Sequence, residues 1–174
     1  LYACTVCWYL APGGADPYEP QPVEQRHGYY VVPQLMAGNC KVLACTGGDV
    51  QTQQMAHFGA GKWRDDDQLW WTHAKPGAKL DLALSVAKAG AYEVIVFLTK
   101  ARDYGIVQFQ LDGKKAGEPV DLYNPKVIPS GPVSLGIHDL SAGEHRLRVE
   151  IVGANEQAVK SYMFGLDYVD LKAK

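Results

Sequence analysis

Three stretches in the second half of the chain alternate apolar and polar residues. Their apolar positions are Leu80, Leu82, Leu84 and Val86, then Val107, Phe109 and Leu111, then Leu147, Val149 and Ile151. A period of two places such residues on one face of a pleated strand, so each stretch has a core side and a solvent side. Turn pairs punctuate the stretches at Pro76-Gly77, Ala89-Gly90, Asp112-Gly113 and Ala142-Gly143. The pattern predicts an antiparallel β-sandwich.

Weaker signals of the same kind extend the sandwich over most of the chain. Strands are predicted at 41–46, 50–58, 68–71, 79–86, 90–99, 104–112, 133–139, 144–152 and 163–171. Two longer connections, 113–132 and 153–162, interrupt the series. Short strands separated by turn signals at this spacing are typical of an all-β jelly roll.

The N-terminal region has a different character. Residues 1–10 are apolar and aromatic and predict a strand buried on both faces, with nothing nearby to pair with. Residues 11–34 contain five prolines, which favour an extended linker. We therefore expect two parts: residues 1–38, the terminal strand of an upstream domain plus a linker, and residues 39–174, the sandwich domain. The chain begins with Leu1 and shows no signal peptide, so we expect a fragment or a processed product.

Composition narrows the class of partner. With 174 residues, of which 47% are hydrophobic and 21% charged, the chain resembles an ordinary globular domain with one core. A formal net charge of -2 gives no reason to expect nucleic acid or an anionic membrane as partner. No run approaches the roughly 18 apolar residues that would span a bilayer.

The order of motifs from the tryptophans to the C-terminus resembles a known family. A Trp-rich strand precedes Pro76-Gly77, a later strand ends in Leu111-Asp112-Gly113, residues 142–147 read Ala-Gly-Glu-His-Arg-Leu, and residues 166–169 read Leu-Asp-Tyr-Val. Over residues 40–172 this order is similar to the galactose-binding-like jelly roll of many carbohydrate-binding modules appended to glycoside hydrolases. The resemblance implies a non-catalytic accessory module with a carbohydrate partner. The same fold also hosts protein-binding and purely structural domains.

A second resemblance lies at the N-terminus. Residues 7–13 read Cys-Trp-Tyr-Leu-Ala-Pro-Gly and are followed by Arg26. This is similar to the end of the catalytic jelly roll in glycoside hydrolase family 172, formerly a domain of unknown function. It implies that the chain is the C-terminal part of such an exported hydrolase, located outside the cell or in the periplasm. That family's catalytic acids lie upstream, so no residue here inherits them, and this segment is expected to be non-catalytic.

Acidic residues offer few candidates for chemistry. Asp65, Asp66 and Asp67 form the one acidic cluster, which fits a solvated turn, a cation site or, least well, a pair of catalytic acids. No nucleophile or phosphate-binding motif occurs in the sequence. The family resemblance implies a structural calcium near the chain ends, with Asp167 or Asp170 as its last ligand. The matching acids of the first strand are absent from residues 41–46.

The four cysteines, Cys4, Cys7, Cys40 and Cys45, leave three interpretations open. They fit buried small hydrophobic residues, one or two disulfides of an exported protein, or a metal or redox site. His145 lies on the apolar face of its strand, where we expect a core histidine whose hydrogen bonds are satisfied.

Aromatic and polar residues in loops are the best candidates for binding, because sugar rings lie on aromatic faces while their hydroxyls take paired hydrogen bonds. The predicted ligand-binding residues are Trp63, Trp71, Arg102, Asp103, Tyr104, Tyr123 and Asn124. Trp70 and Trp71 are adjacent in a strand, so we expect one to face the core and the other to face outward.

Three functional hypotheses follow. The first is a carbohydrate-binding accessory module, whose loop aromatics form a sugar platform. The second is a structural or interaction domain, whose aromatics cover an interface with the catalytic domain or with other subunits, and which could be oligomeric. The third, an intact enzyme, is the least supported by the residues.

Overall fold

The computed structural model describes residues 40–174 in full and Met36–Ala37 as backbone. The predicted strand at 1–10, most of the linker, Cys4 and Cys7 lie outside the described residues.

Eleven strands and two 3-10 helices make up the described part of the chain. A six-stranded sheet has the order β1-β2-β5-β10-β7-β8, and a five-stranded sheet has the order β3-β4-β11-β6-β9. The strands are β1 (Met36–Ala37), β2 (Cys40–Cys45), β3 (Asp49–Gln54), β4 (Asp67–Thr72), β5 (Lys79–Val86), β6 (Gly90–Lys100), β7 (Ile106–Leu111), β8 (Lys114–Asp121), β9 (Ile128–Leu140), β10 (Gly143–Gly153) and β11 (Phe164–Ala173). All named pairs of strands are antiparallel, which confirms the predicted sandwich.

The core consists of the residues that the period of two selected. Every apolar position of the three alternating stretches is at most 4% exposed. From the opposite sheet, Trp71 and Phe164 meet edge-to-face at 6.5 Å between ring centroids, and Phe164 contacts Phe109 in the same way at 6.3 Å. Interlocking rings of this kind fill the space between two sheets at high density.

Two pairs of interacting polar side chains support the six-stranded sheet. Arg148 donates to both carboxylate oxygens of Asp81, at 2.6 and 2.9 Å, and the Asp81 side chain is nearly buried. His145 is 9% exposed, and its Nδ1 lies 2.6 Å from the Asp112 carboxylate while its Nε2 lies 3.0 Å from the Ser141 carbonyl. The histidine thus joins two turns at one end of the sheet, as expected of a core histidine with satisfied hydrogen bonds.

The largest disagreement with the sequence prediction falls on the connection 113–132. That connection contains β8 and the start of β9. Asp112 and Gly113 have positive φ angles of 48° and 81°, which suits a tight hairpin turn between β7 and β8. β8 escaped prediction because its residues (Lys-Lys-Ala-Gly-Glu-Pro-Val-Asp) barely alternate, as tolerated on an edge strand.

The predicted strand 50–58 is also too long. β3 ends at Gln54, and residues 55–66 form a segment that contains 3-10 helices at Ala56–Phe58 and Arg64–Asp66. Met55 and Trp63 are the buried residues of this segment, at 0% and 3% exposure. The segment is therefore fixed to the protein by its two ends.

Candidate functional site at the loop end

Three connections between strands lock together at one end of the sandwich, which we call the loop end: residues 101–105, 122–127 and 154–163. Ala101 N–H donates to the Leu122 carbonyl at 3.0 Å, and Asn124 N–H donates to the Ala101 carbonyl at 3.2 Å. The third connection joins through Val159 N–H, which donates to the Arg102 carbonyl at 2.8 Å. Backbone bonds of this kind make the loops a rigid platform.

This locking brings five of the predicted ligand-binding residues into one region. Arg102 and Asp103 lie in the first connection, and Tyr123 and Asn124 lie in the second. Arg102 is exposed, whereas Asp103, Tyr123 and Asn124 are half-buried. Tyr104 is only 4% exposed, so its ring belongs to the foundation of the loop end rather than to its surface.

The two predicted tryptophans are buried as well. Trp71 has no exposed surface, and its indole N–H donates to the Gly47 carbonyl at 2.8 Å. Trp63 is 3% exposed and donates to the Thr99 hydroxyl at 2.8 Å. A buried ring cannot form a sugar platform, which corrects the assignment of Trp71 to ligand binding. Trp63 instead anchors segment 55–66 to the five-stranded sheet.

A buried hydrogen-bond network supports this anchor. Gln68 accepts from the Thr99 hydroxyl and donates to the Tyr104 hydroxyl at 3.0 Å and to Gln53 Oε1 at 2.7 Å. Burial raises the pKa of Tyr104, so the phenol stays neutral. A Cβ at Gly165 would overlap Gln68 Oε1, so glycine at this position leaves room for the network. The network holds segment 55–66 and the loop end in a fixed relation.

A small pocket, the loop-end pocket, opens between segment 55–66 and the loop end. It encloses about 80 Å³, and its lining includes Gln53, Phe58, Trp70, Asp103, Tyr104 and Met163. Phe58 is 36% exposed, and Trp70 is half-buried. The indole N–H of Trp70 is buried and has no acceptor among the described residues. Aromatic surface, a carboxylate and an amide therefore meet at one place.

Sequence reasoning missed Phe58, Gln53 and Trp70 as lining residues. Alternation along β4 predicted that only one of Trp70 and Trp71 faces the core, and this is confirmed. The pairing of Gly165 with Trp70 and of Phe164 with Trp71 decides which, since Phe164 faces inward. Phe58 carried no signal, because its segment was predicted as a strand.

The two alternative calcium ligands, Asp167 and Asp170, have different surroundings. Asp170 is exposed on β11, whereas Asp167 is 7% exposed and accepts from Arg64 N–H at 3.0 Å. Among residues 40–174, no group of three or more His, Cys, Asp or Glu side chains is placed to hold a metal ion. Burial raises the pKa of Asp167 to about 6, against the opposing influence of the Arg64 hydrogen bond and charge. The described residues by themselves therefore do not form a calcium site at Asp167 or at Asp170, and the assignment stays a prediction.

Cys40 and Cys45 both lie in β2 and are buried at 0% and 2% exposure. Burial raises the pKa of the Cys40 thiol to about 12 and raises that of Cys45 as well. Both behave as small core residues here.

The helices in the described part of the chain are too short and too polar to span a membrane.

Comparisons with known proteins agree with this architecture. No protein-family model and no curated protein matches the chain. Among solved structures, a Paenibacillus xanthan lyase is similar with a TM-score of 0.67 at 16% identity, over 82% of this chain and 14% of the lyase. A family 35 carbohydrate-binding module from Clostridium thermocellum has a TM-score of 0.49 at 15% identity, over 78% of this chain and 93% of the module. Another family 35 module, from an environmental isolate, has a TM-score of 0.48 at 13% identity, over 80% of this chain and 89% of the module.

At such identities the likeness to the lyase concerns the fold. The chain corresponds to only a small part of that enzyme's length. The described residues form a β-sandwich, and the similarity to the lyase extends to this fold alone.

Proposed function

We propose that this chain is a non-catalytic carbohydrate-binding accessory module and that the loop-end pocket contacts the sugar. One observation carries the proposal: the partly exposed rings of Phe58 and Trp70 meet Asp103 and Gln53 on a rigid loop platform. Sugar recognition combines an apolar ring face with hydroxyls that need hydrogen-bond partners, and these residues supply both.

The dimensions of the pocket suggest how a sugar sits there. A volume of about 80 Å³ accommodates an exocyclic group or one edge of a pyranose, while the rest of the ring lies on Phe58. The Asp103 carboxylate and the Gln53 amide pair with hydroxyls at the rim. Such a shallow site predicts weak binding, with a dissociation constant on the order of 1 mM for a single sugar.

The protein to which this module belongs is part of the proposal. Residues 7–13 and Arg26 resemble the end of a family 172 catalytic jelly roll, so the module would follow the catalytic domain of an exported hydrolase. The coding sequence upstream of Leu1 tests this directly. A jelly roll there supports the assignment, and an unrelated domain overturns it.

Binding itself is testable on the isolated chain. A polysaccharide panel that includes xanthan, the substrate named for the structurally similar lyase, is screened by glycan array and by affinity electrophoresis. Phe58→Ala should reduce retardation by a positive glycan about tenfold, because it removes the apolar surface of the site. Ile137→Ala is the matched control, since Ile137 is a 63% exposed apolar residue outside the loop-end pocket. A folded protein that binds no member of the panel contradicts the proposal.

A second function, an interaction domain, would use exposed apolar side chains: Ile137, Val152 and Val159 are 63%, 46% and 54% exposed and lie on different elements of the sandwich. Apolar residues of this kind contribute to an interface where a partner covers them. Light scattering across a range of concentrations measures self-association. A concentration-dependent dimer that Val159→Ser dissolves supports this function, and a monomer throughout excludes assembly with a second copy.

A further inference from the structure

A second concavity, the outer-face groove, lies on the five-stranded sheet and shares no lining residue with the loop-end pocket. Its lining includes Lys62, Arg64, Phe97, Gly131, Asp167 and Tyr168. It encloses about 450 Å³, within the usual range of small-ligand sites and several times the volume of the loop-end pocket.

The first component of this groove is a pre-formed aromatic stack. Phe97 of β6 and Tyr168 of β11 are register partners, and their rings are nearly parallel, at 4.2 Å between centroids and 14° between planes. The Arg64 guanidinium covers Tyr168, with Cζ 3.6 Å from the ring centroid. Arg64 and Phe97 thus occupy the two faces of Tyr168, and both aromatic rings are half-buried. The apolar surface left for a ligand is that of Phe97 and the ring edges.

The second component is the Asp167 carboxylate, which has one oxygen that accepts no hydrogen bond from the described residues. Asp167 is only 7% exposed, and its Oδ1 accepts a hydrogen bond from the backbone N–H of Arg64. No described residue donates to its second oxygen, although the side chain lines the groove. An ionised carboxylate can accept several hydrogen bonds, so the second oxygen of Asp167 can accept one from a ligand. Burial disfavours the ionised form of the Asp167 carboxyl, and the pKa of this group is raised accordingly.

The third component is access. Gly61 and Gly131 both line the groove with positive φ angles of 75° and 72°, and a Cβ at either position would meet no atom within 4 Å. The space beside both backbones is therefore open to a ligand. Lys62 and Arg64 are exposed and supply hydrogen-bond donors on the same side.

We propose that the outer-face groove is a second saccharide-binding site, which takes a neutral pyranose against Phe97 and the edge of the Phe97–Tyr168 stack, with its hydroxyls paired to Asp167 and Lys62. The lining carries charges of both signs, since Lys62 and Arg64 border the same groove as Asp167. Neither an anionic nor a cationic sugar therefore meets a groove of uniformly opposite charge, and a neutral sugar needs none. The groove and the loop-end pocket have different lining residues, so this proposal does not depend on sugar binding at the loop-end pocket.

The test is a titration of the full ¹⁵N-labelled chain monitored by amide chemical shifts. The probes are the methyl glycosides of galactose, glucose, mannose and xylose, their linear hexasaccharides, and glucuronic and galacturonic acid. Each is added to about 10 mM, above the ~1 mM dissociation constant of weak recognition. We expect saturable shifts at the Gly61 and Gly131 amides with at least one neutral probe. Absence of such shifts with every neutral probe, or saturation only with the uronic acids, overturns the inference.

Variants assign the shifts to the groove. Arg64→Ala removes an exposed hydrogen-bond donor from the groove, and Asp167→Asn removes the charge while retaining an acceptor oxygen, so each should weaken binding about tenfold. The loop-end variant Phe58→Ala should leave the Gly61 and Gly131 titration unchanged. If Phe58→Ala abolishes it and Arg64→Ala does not, the sugar is bound at the loop end and the groove assignment is wrong.

Discussion

Replacement of Asp167 by Asn should stabilise the protein above pH 6 and have little effect below pH 4. Asp167 is a buried carboxyl whose folded pKa is raised from the ordinary 3.8 to about 6, chiefly by burial. Between these two values the folded state holds a proton that the unfolded chain has released. Its contribution to stability is therefore fully present below pH 3.8 and is lost as the pH rises through about 6.

The magnitude follows from the difference between the two pKa values. Each pH unit between them is worth about 1.4 kcal/mol, so a difference of about two gives an order of 3 kcal/mol. The amide of Asn stays neutral at every pH and its Oδ1 can still accept from Arg64 N–H. The free energy of unfolding of Asp167→Asn should thus exceed that of the wild type by a margin that grows by roughly 3 kcal/mol between pH 3.5 and 7.5.

Denaturant unfolding followed by tryptophan fluorescence measures this margin at each pH. Asp170→Asn is the matched control, because it makes the same chemical change at an exposed position of β11 and should show no comparable growth. A margin for Asp167→Asn that stays flat across the range would refute the reasoning. The expected gain would also mean that the wild-type carboxylate destabilises the free protein, which is typical of groups kept for binding.

Three further substitutions test the structural argument. Gly165→Ala should lower the free energy of unfolding by about 1–3 kcal/mol, because the new methyl group displaces the buried amide of Gln68; an unchanged denaturation midpoint would contradict that crowding. Asp81→Ala should cost about 1–3 kcal/mol, because it removes the nearly buried carboxylate that accepts two hydrogen bonds from the Arg148 guanidinium, and a loss under about 0.5 kcal/mol would show that the pair contributes little. His145→Gln should destabilise most below pH 6.5 and progressively less as the pH rises through the raised folded pKa of His145, since the imidazolium is the form held by its carboxylate partner; a loss independent of pH, measured by thermal unfolding, would contradict this.

The fold was predictable because the central strands of one sheet alternate apolar and polar residues along their length. β5, β7 and β10 are neighbours in the centre of the six-stranded sheet, with one face on the core, so burial requires strict alternation. The edge strand β8 has no such requirement, and its residues show none. The strand prediction failed over segment 55–66 for a related reason. The order of this segment rests on the burial of Met55 and on the hydrogen bond from Trp63 to the distant Thr99 rather than on local periodicity.

The candidate sites were predictable only in part. Loop chemistry indicated residues 102–104 and 123–124, and the structure places both groups at the loop end through backbone hydrogen bonds. Their role in binding stays a prediction. The lining of the outer-face groove carried no such signal, because Phe97 and Tyr168 lie within strands and are separated by 71 positions in the sequence.

The sequence by itself determined the sandwich, its main turns and the inward-facing residues, because a period of two acts over a few neighbouring positions and needs no knowledge of partners. Only the tertiary structure decided which tryptophan enters the core, which carboxylate is buried, and which aromatic rings stack. These properties depend on strand register and bulges, such as the register shift between Leu166 and Tyr168 in β11. A shift of one residue moves a side chain to the opposite face of the sheet, and this is how Asp167 and Tyr168 both come to line the groove.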